Sequence, residues 1–381
     1  MMPLSCVKNQ RPLLILFIHL GLGGVQRKIV DIVNFLASYR PDLPIFIILR
    51  NREKFDLIPE IKNKKVRIIN YKDYQEWKRI KIPFFFPFFI IGQIWRLKPA
   101  AILAFLDFVS LPAIWAKLIF FWRKNRLVLS EDHYTSKIVP TFAFGRFRNF
   151  LIKIFYRFAD AIFVCSRASK KDLTDNYGLD GKKIKIIRNW TVFSARKTVL
   201  KKRYHLIYFG RFEKTKRLDF LIKALKEIKK KENNVRLCLL GDGKEKENLV
   251  RMANLYHLEK NVDFVSPIRG VEDFLAKSKI FVYCSQIKAE GFPMAILEAM
   301  ATKTPVLTNN FAGAEDFLAE GENCYFFHGQ KEFVDKTLWL LKNPVKRKAL
   351  AAKAYQYVKR CHSSKNILDY LQELNLLKEP A

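Results

Sequence analysis

Two carboxylates, Glu290 and Glu298, stand with seven residues between them, and from Phe292 to Ala301 Glu298 is the only polar side chain. Such an apolar run reads as a buried helix, and Pro293 suits its first turn. An ionised carboxylate there is costly unless it has partners. Two acids about two turns apart at a helix entrance suit hydrogen bonds to sugar hydroxyls. A buried Glu298 paired with a structural Arg or a backbone group is the alternative. A second constellation, Arg211 and Lys216, follows an apolar run that ends at Phe209. Arg grips phosphate oxygens through a bidentate fork and Lys acts as a point charge, so the two could converge on a diphosphate. The third, Gly21-Leu-Gly-Gly24, follows Leu13–His19 and opens a helix over Val25–Ala37. Glycines there let backbone N–H groups approach an anion, although a tight turn is as good a reading. The fourth is Ser130-Glu-Asp-His133, after Leu127–Ser130. His133 or Glu131 could orient or deprotonate a hydroxyl, and the plainer reading is an exposed loop histidine.

These residues need a scaffold that presents them together. Short apolar runs alternate with amphipathic helical stretches. Strands are predicted at Leu13–His19, Pro44–Leu49, Val66–Asn70, Ala101–Phe105, Leu127–Ser130, Ala161–Cys165 and Ile184–Ile187. A second set follows at Tyr204–Phe209, Val235–Leu240, Val262–Val265, Ile280–Ser285, Pro305–Thr308 and Asn323–Phe327. This is the rhythm of parallel sheets covered on both faces. It breaks once, at the polar and basic stretch Trp190–Lys202, which reads as a linker. The expectation is therefore two doubly wound domains, 1–195 and 203–362, with 363–381 as a final helix packing back on the first. Ligands of such sheets bind at the carboxyl ends of the strands, which puts the site in a cleft that the two domains face.

Of the 69 basic and 36 acidic residues, 36 and 14 fall in 1–197, so the first half carries two thirds of the net charge of +33. A polyanion would meet that half: nucleic acid, anionic lipid or a phosphorylated small molecule. A solvated basic surface is the plainer reading. Two segments, Ile82–Trp95 and Leu111–Trp122, are apolar but too short to span a bilayer, and both have basic neighbours. They fit either a membrane interface or the core of the first domain; two prolines and many Phe favour exposure of part of the first. The six cysteines are widely spaced and mostly in apolar runs, as expected of reduced thiols in a cytoplasmic protein without a zinc site.

The spacing of Glu290 and Glu298 resembles the E-x7-E signature of retaining glycosyltransferases of the GT-B fold, nearest to family 4, the "group 1" glycosyltransferases. Gly23–Arg27 (GGVQR) resembles that family's G-G-x-E/Q-R segment. Phe163–Ser166 with Asn189, Gly210–Phe212 with Lys216, and Leu240–Gly243 resemble further family segments. Ser130–His133 resembles an S-E-H-N segment of some members. The resemblance implies a GT-B fold of two Rossmann-like domains. It implies transfer of a sugar from a nucleotide-diphosphate sugar, UDP favoured over GDP, to a glycan or lipid-linked acceptor in cell-surface polysaccharide or lipopolysaccharide synthesis. It gives Arg211 and Lys216 the diphosphate, with Gly23 and Gly24 against the same phosphates. It gives Glu298 the ribose hydroxyls, Glu290 the transferred sugar, and Gly291 and Phe292 the lining of its pocket. No metal and no cofactor is implied. Trp190 stands for the usual Pro, Thr302-Lys303 for Cys-Gly, and Arg217 for a common Gly. These departures bear on the substrate more than on the activity. The membrane-facing expectation is peripheral attachment to an anionic inner face. The rivals are a sugar-nucleotide epimerase or phosphorylase of the same fold and, from another class, a basic nucleic-acid-binding protein. The second is opposed by the diffuse charge and the lack of a nucleic-acid motif.

Overall fold

The computed structural model describes residues 10–53, 56–73, 85–191, 201–266, 270–286 and 291–377. Glu290, Cys6 and Ile82–Phe84 lie outside the described residues. The chain divides into two compact units, 1–187 with 365–381, and 188–364.

The strands are β1 (Leu13–Phe17), β2 (Ile45–Leu49), β3 (Val66–Asn70), β4 (Ala101–Phe105), β5 (Arg126–Glu131), β6 (Ala161–Val164) and β7 (Ile184–Ile186) in the first unit. The second has β8 (Tyr204–Phe209), β9 (Leu237–Leu240), β10 (Val262–Val265), β11 (Ser278–Tyr283), β12 (Val306–Asn309) and β13 (Tyr325–Phe327). Every predicted strand is present, with ends shifted by at most two residues. The helices of the first unit are α1 (Gly24–Tyr39), α2 (Phe86–Leu97), α3 (Asp107–Ile119), α4 (Thr135–Ile138), α5 (Gly145–Phe155) and α6 (Arg167–Tyr177). Those of the second are α7 (Leu218–Lys229), α8 (Lys246–Leu255), α9 (Glu272–Ala276), α10 (Met294–Ala301), α11 (Gln330–Lys342) and α12 (Pro344–Cys361); α13 (Asn366–Glu373) returns to the first.

Both sheets are parallel throughout. Their orders are β3-β2-β1-β4-β5-β6-β7 and β10-β9-β8-β11-β12-β13. Strands β1, β2 and β4 are buried at every residue, which is why they read as unbroken apolar runs. Each order reverses direction once. In the first sheet β1 lies between β2 and β4, and in the second β8 lies between β9 and β11. The loops that follow the strands on either side of such a reversal diverge, and the opening between them is where ligands of open parallel sheets bind. The glycine turn follows β1, and the Arg211–Lys216 and Glu290–Glu298 segments follow β8 and β11.

The sequence pattern puts Trp190 at the start of a linker. It is fully buried in the second unit, and Thr191 beside it is held by the carbonyl of His362, 3.0 Å away. Helix α13 closes over the first sheet. Tyr370 is buried against Phe163, 4.5 Å between ring centroids, and Arg126 pairs with Glu373 at 3.1 Å.

Candidate functional site

In the second unit, three loops at the carboxyl edge brace one another. Phe212 N donates to Asp242 O (2.8 Å), and Glu245 N to Phe212 O (3.0 Å), which ties the loop after β8 to the loop after β9. The contact is so close that a Cβ at Gly241 would lie 2.0 Å from the carbonyl oxygen of Gly210. Only glycine fits there. On the other side, Gln286 N donates to Thr215 O (2.9 Å), joining the loop after β8 to the loop after β11. Asn309, at the end of β12, accepts from Ser285 N and donates to Ser285 O (2.9 and 2.8 Å) and so fixes the start of that loop.

On this frame Lys216 Nζ donates to the Tyr283 hydroxyl at 3.1 Å and lies over its ring. Arg211 extends into solvent, its side chain 70% exposed, with Glu213 as its ion-pair partner at 2.8 Å. A surface pair of that kind is worth at most about 1 kcal/mol, so an arriving dianion can displace Glu213. Arg217 adopts φ +48°, a left-handed conformation that explains why Gly is common at this place.

Gly291 and Phe292 are buried. Phe292 stacks on Phe317 with centroids 4.0 Å apart, and its carbonyl accepts from Asn189 Nδ2 at 3.4 Å. Gly313 presses on this loop from behind: a Cβ on it would lie 1.7 Å from Gly291 O. Pro293 stands at the N-cap, one position before the first helical residue Met294. Helix α10 is not closed all round. Ala295 and Glu298, three residues apart, share its partly open face, while the others pack inward. Glu298 is therefore partly exposed rather than sealed in the core.

The first unit is arranged differently. Gly23 caps α1 and Gly24 begins it, and the first turn of that helix holds no acidic residue. Lys28, one turn further, forms a buried ion pair with Asp132. Burial opposes the charge on Lys28, but Asp132 outweighs it and the ammonium is held more firmly than usual. Ser130 Oγ bridges Asp132 and Tyr370, 3.1 Å from each. Glu131 lies inside β5 and is 0% exposed, so it is no open loop carboxylate and has no direct reach to an acceptor hydroxyl. It accepts from the Tyr156 hydroxyl at 2.5 Å, and burial, reinforced by the negative charge of Asp107, pushes its carboxyl well above the usual range. Asp107 in turn accepts from Arg148 Nε at 2.7 Å. His133 Nδ1 stands 3.7 Å from Glu131, and its ring is mostly enclosed, which lowers its basicity. Among the described residues, Glu131 Oε2 and His133 Nε2 have no hydrogen-bond partner.

The family description "Glycosyltransferase Family 4" matches residues 22–191, and "Glycosyl transferases group 1" matches 192–357. The chain belongs to the group 1 glycosyltransferases. Its fold is GT-B. Anabaena HepE, solved with UDP and glucose, superposes with a TM-score of 0.77 at 18% identity, covering 96% of this chain and 99% of that one. A poly(ribitol-phosphate) alpha-N-acetylglucosaminyltransferase of Staphylococcus aureus (strain COL) is 31% identical over 169 residues, 42% of this chain. That match spans only a third (33%) of the relative's own length. The N-acetylgalactosamine-N,N'-diacetylbacillosaminyl-diphospho-undecaprenol 4-alpha-N-acetylgalactosaminyltransferase of Campylobacter jejuni is 26% identical over 364 residues, 90% of this chain and 96% of that enzyme.

Sequence reasoning on this group 1 glycosyltransferase missed the braces. Tyr283, Asn309 and Gly313 touch the loops that carry the candidate ligands, but each lies on another part of the chain. A signal existed only for Gly313, a glycine in a loop after a strand. His362 was missed as well. It is buried at the end of α12, its Nδ1 2.6 Å from Asn189 O and its ring 5.4 Å from Phe292. It thus links the chain segment entering the second unit to the Phe292 loop.

Proposed function

We propose that this chain transfers a sugar, with retention at the anomeric carbon, from a nucleotide-diphosphate sugar to a glycan or lipid-linked acceptor in the assembly of a cell-surface polysaccharide. The observation that carries the reading is the set of braced loops at the β8/β11 reversal, which bear Arg211, Lys216, Gly291 and Phe292 on one sheet edge, with Glu298 on the helix that follows. Arg211 and Lys216 neutralise the diphosphate as the bond to the sugar breaks, and preorganised cations at a leaving group are worth most in a site that excludes water. Glu298 takes the ribose hydroxyls from the open face of α10. Glu290 takes hydroxyls of the migrating sugar, and the Gly291–Phe292 backbone lines its pocket. Two basic side chains and a helix N-terminus supply the charge that a metal would otherwise bring.

On the acceptor side, His133 receives the hydroxyl proton. Its lowered basicity keeps it neutral, and so able to accept, at neutral pH. Glu131 acts through it as a positioning residue. UDP is the favoured nucleotide, in line with the UDP held by HepE. The relatives named above act on a poly(ribitol phosphate) and on a diphospho-undecaprenol-linked sugar, and both names specify alpha linkages. A cytoplasmic reaction fits the donor and the unpaired thiols of the described cysteines.

The test is a thermal-shift panel of UDP-, GDP- and ADP-sugars, followed by NMR of the product's anomeric configuration. One donor should stabilise the protein, and Glu290→Ala and Glu298→Ala should each weaken that response with the fold intact. An inverted product, or a shift indifferent to both substitutions, would overturn the reading. Release of a free epimerised sugar nucleotide would replace it with the epimerase reading.

A further inference from the structure

Helix α5 carries apolar side chains on two faces: Leu151, Ile152 and Phe155 pack on the core, and further aromatic rings point away from it. Gly145 and Ile152 are fully buried, while Phe147 and Phe150 point outward, 61% and 57% exposed. Phe144 before it and Phe158 after it are exposed as well. Arg146, Lys153 and Arg157 stand among these rings, all exposed. A soluble helix normally turns such aromatics to the core.

The neighbouring elements continue the pattern. Helix α3 packs against both α5 and α2 and is mostly buried, but its C-terminal end emerges as Leu118, Ile119, Phe121 and Trp122. Helix α2 shows Phe85, Phe88 and Trp95 along its outer side. Trp95 and Phe120 pack at 4.9 Å, and the Arg123 guanidinium lies 4.0 Å from the Trp95 ring centroid, so the two helix ends form one aromatic and basic cluster. Between Phe85 and Ala159 the sequence contains only three acids: Asp107, Glu131 and Asp132. Their side chains are 2%, 0% and 7% exposed. Between Phe85 and Ala159 the exposed charge is therefore entirely positive, carried by residues such as Arg96, Lys98 and Lys124, and Asp160 at the margin, 32% exposed, is paired with Lys117 of α3.

We propose that the α2–α3–α5 face docks on an anionic lipid bilayer, with Phe and Trp rings at headgroup depth and Arg and Lys on lipid phosphates. Three features select a bilayer. Aromatic rings beside cations are what the headgroup zone accommodates. The scarcity of exposed carboxylates, with Asp160 at the margin neutralised by Lys117, matches a surface of one sign, which anionic lipid presents over its whole area. The mixture of aliphatic and aromatic groups on convex helix faces suits insertion among acyl chains better than stacking on bases. Docking is interfacial, since no helix of the described residues is long and apolar enough to cross a membrane. The inference is independent of the donor site, because its readout needs no turnover.

The experiment is co-flotation of the full chain with vesicles of phosphatidylglycerol and phosphatidylcholine, against phosphatidylcholine alone, at low and high salt. Binding should need phosphatidylglycerol and weaken with salt. Removing Arg146, Lys153 or Arg157 should lower the partition coefficient about fivefold per residue. Phe147→Ser with Phe150→Ser should lower it about tenfold or more while UDP binding stays intact. Brominated lipid should quench tryptophan fluorescence in the wild type and much less in Trp95→Phe/Trp122→Phe. The proposal is overturned if the protein stays soluble with the anionic vesicles at low salt, or if the Phe double substitution leaves flotation unchanged. It is also overturned if the same substitution instead abolishes self-association measured by sedimentation, or if single-stranded oligonucleotides bind this face and vesicles do not.

Discussion

The two units share an architecture and part ways at their surfaces. The second keeps nearly all its large apolar side chains inside; Leu255, Trp339 and Val345 are its exposed ones among the described residues. Its chemistry sits in short loops locked together by backbone hydrogen bonds and glycine contacts. The first unit exposes ten Phe and Trp rings between Phe85 and Phe158, while burying an unusual set of charges behind the edge of its sheet. The difference fits a division of labour. A nucleotide diphosphate is a small, fixed target, met by a rigid set of groups. An acceptor and the surface that carries it are large, met by an extended face.

That contrast is sharpest at the donor loops. Arg211→Ala and Lys216→Ala should each reduce the transfer rate about 10²–10³-fold with little change in melting temperature, as loss of one preorganised charge-stabilising group does. Steady-state rates beside thermal melts would check this. If the contrast were wrong and the first unit held the diphosphate, both substitutions would be mild.

Acid should weaken the second unit through His362. His362 is buried and its pKa is lowered to about 4, chiefly by burial. A depressed histidine contributes stability that is complete above its unfolded value near 6.5 and is lost as pH falls towards 4. The loss approaches roughly 3 kcal/mol across that window. Denaturant melts at pH 7 and pH 4 would measure it, and His362→Gln should flatten the difference.

Gly313→Ala tests the rigidity claim. The added methyl must push the Gly291 main chain aside, at a cost of about 1–3 kcal/mol. Donor affinity should fall more than stability does. Equal donor affinity in the variant would show that the Gly291 loop need not be held.

The remaining effect belongs to the first unit. Glu131 is raised by burial, so wild-type stability should decline as pH rises from the usual carboxylate range through its folded value. Glu131→Gln keeps the contact with Tyr156 and does not titrate. Its melting temperature should exceed the wild type's at pH 8 by more than at pH 5.

The frame of both units was legible in the sequence because a strand covered on two faces must be apolar throughout, and short runs such as Leu13–Phe17 cannot be mistaken for solvent-facing segments. The candidate ligands were legible because strand ends in this fold carry chemistry. What stayed hidden depends on distant partners. Trp190 read as linker because its neighbours in sequence are polar, yet its burial accompanies a turn around His362, far along the chain. Glu131 read as a loop residue because one residue of strand separates a buried carboxyl from an open one. Gly313 could be valued only once Gly291 was seen against it. The outward Phe147 and Phe150 escaped notice because their apolar spacing is that of an ordinary helix, and only burial shows which face is turned to the core.

The central claim is that the second unit's loops bind the donor nucleotide. Calorimetric titration of UDP into the wild type, Lys216→Ala and Glu298→Ala tests it most directly. Saturable binding that weakens about tenfold or more in each variant is the predicted result. Saturable binding with the same Kd in all three would contradict it.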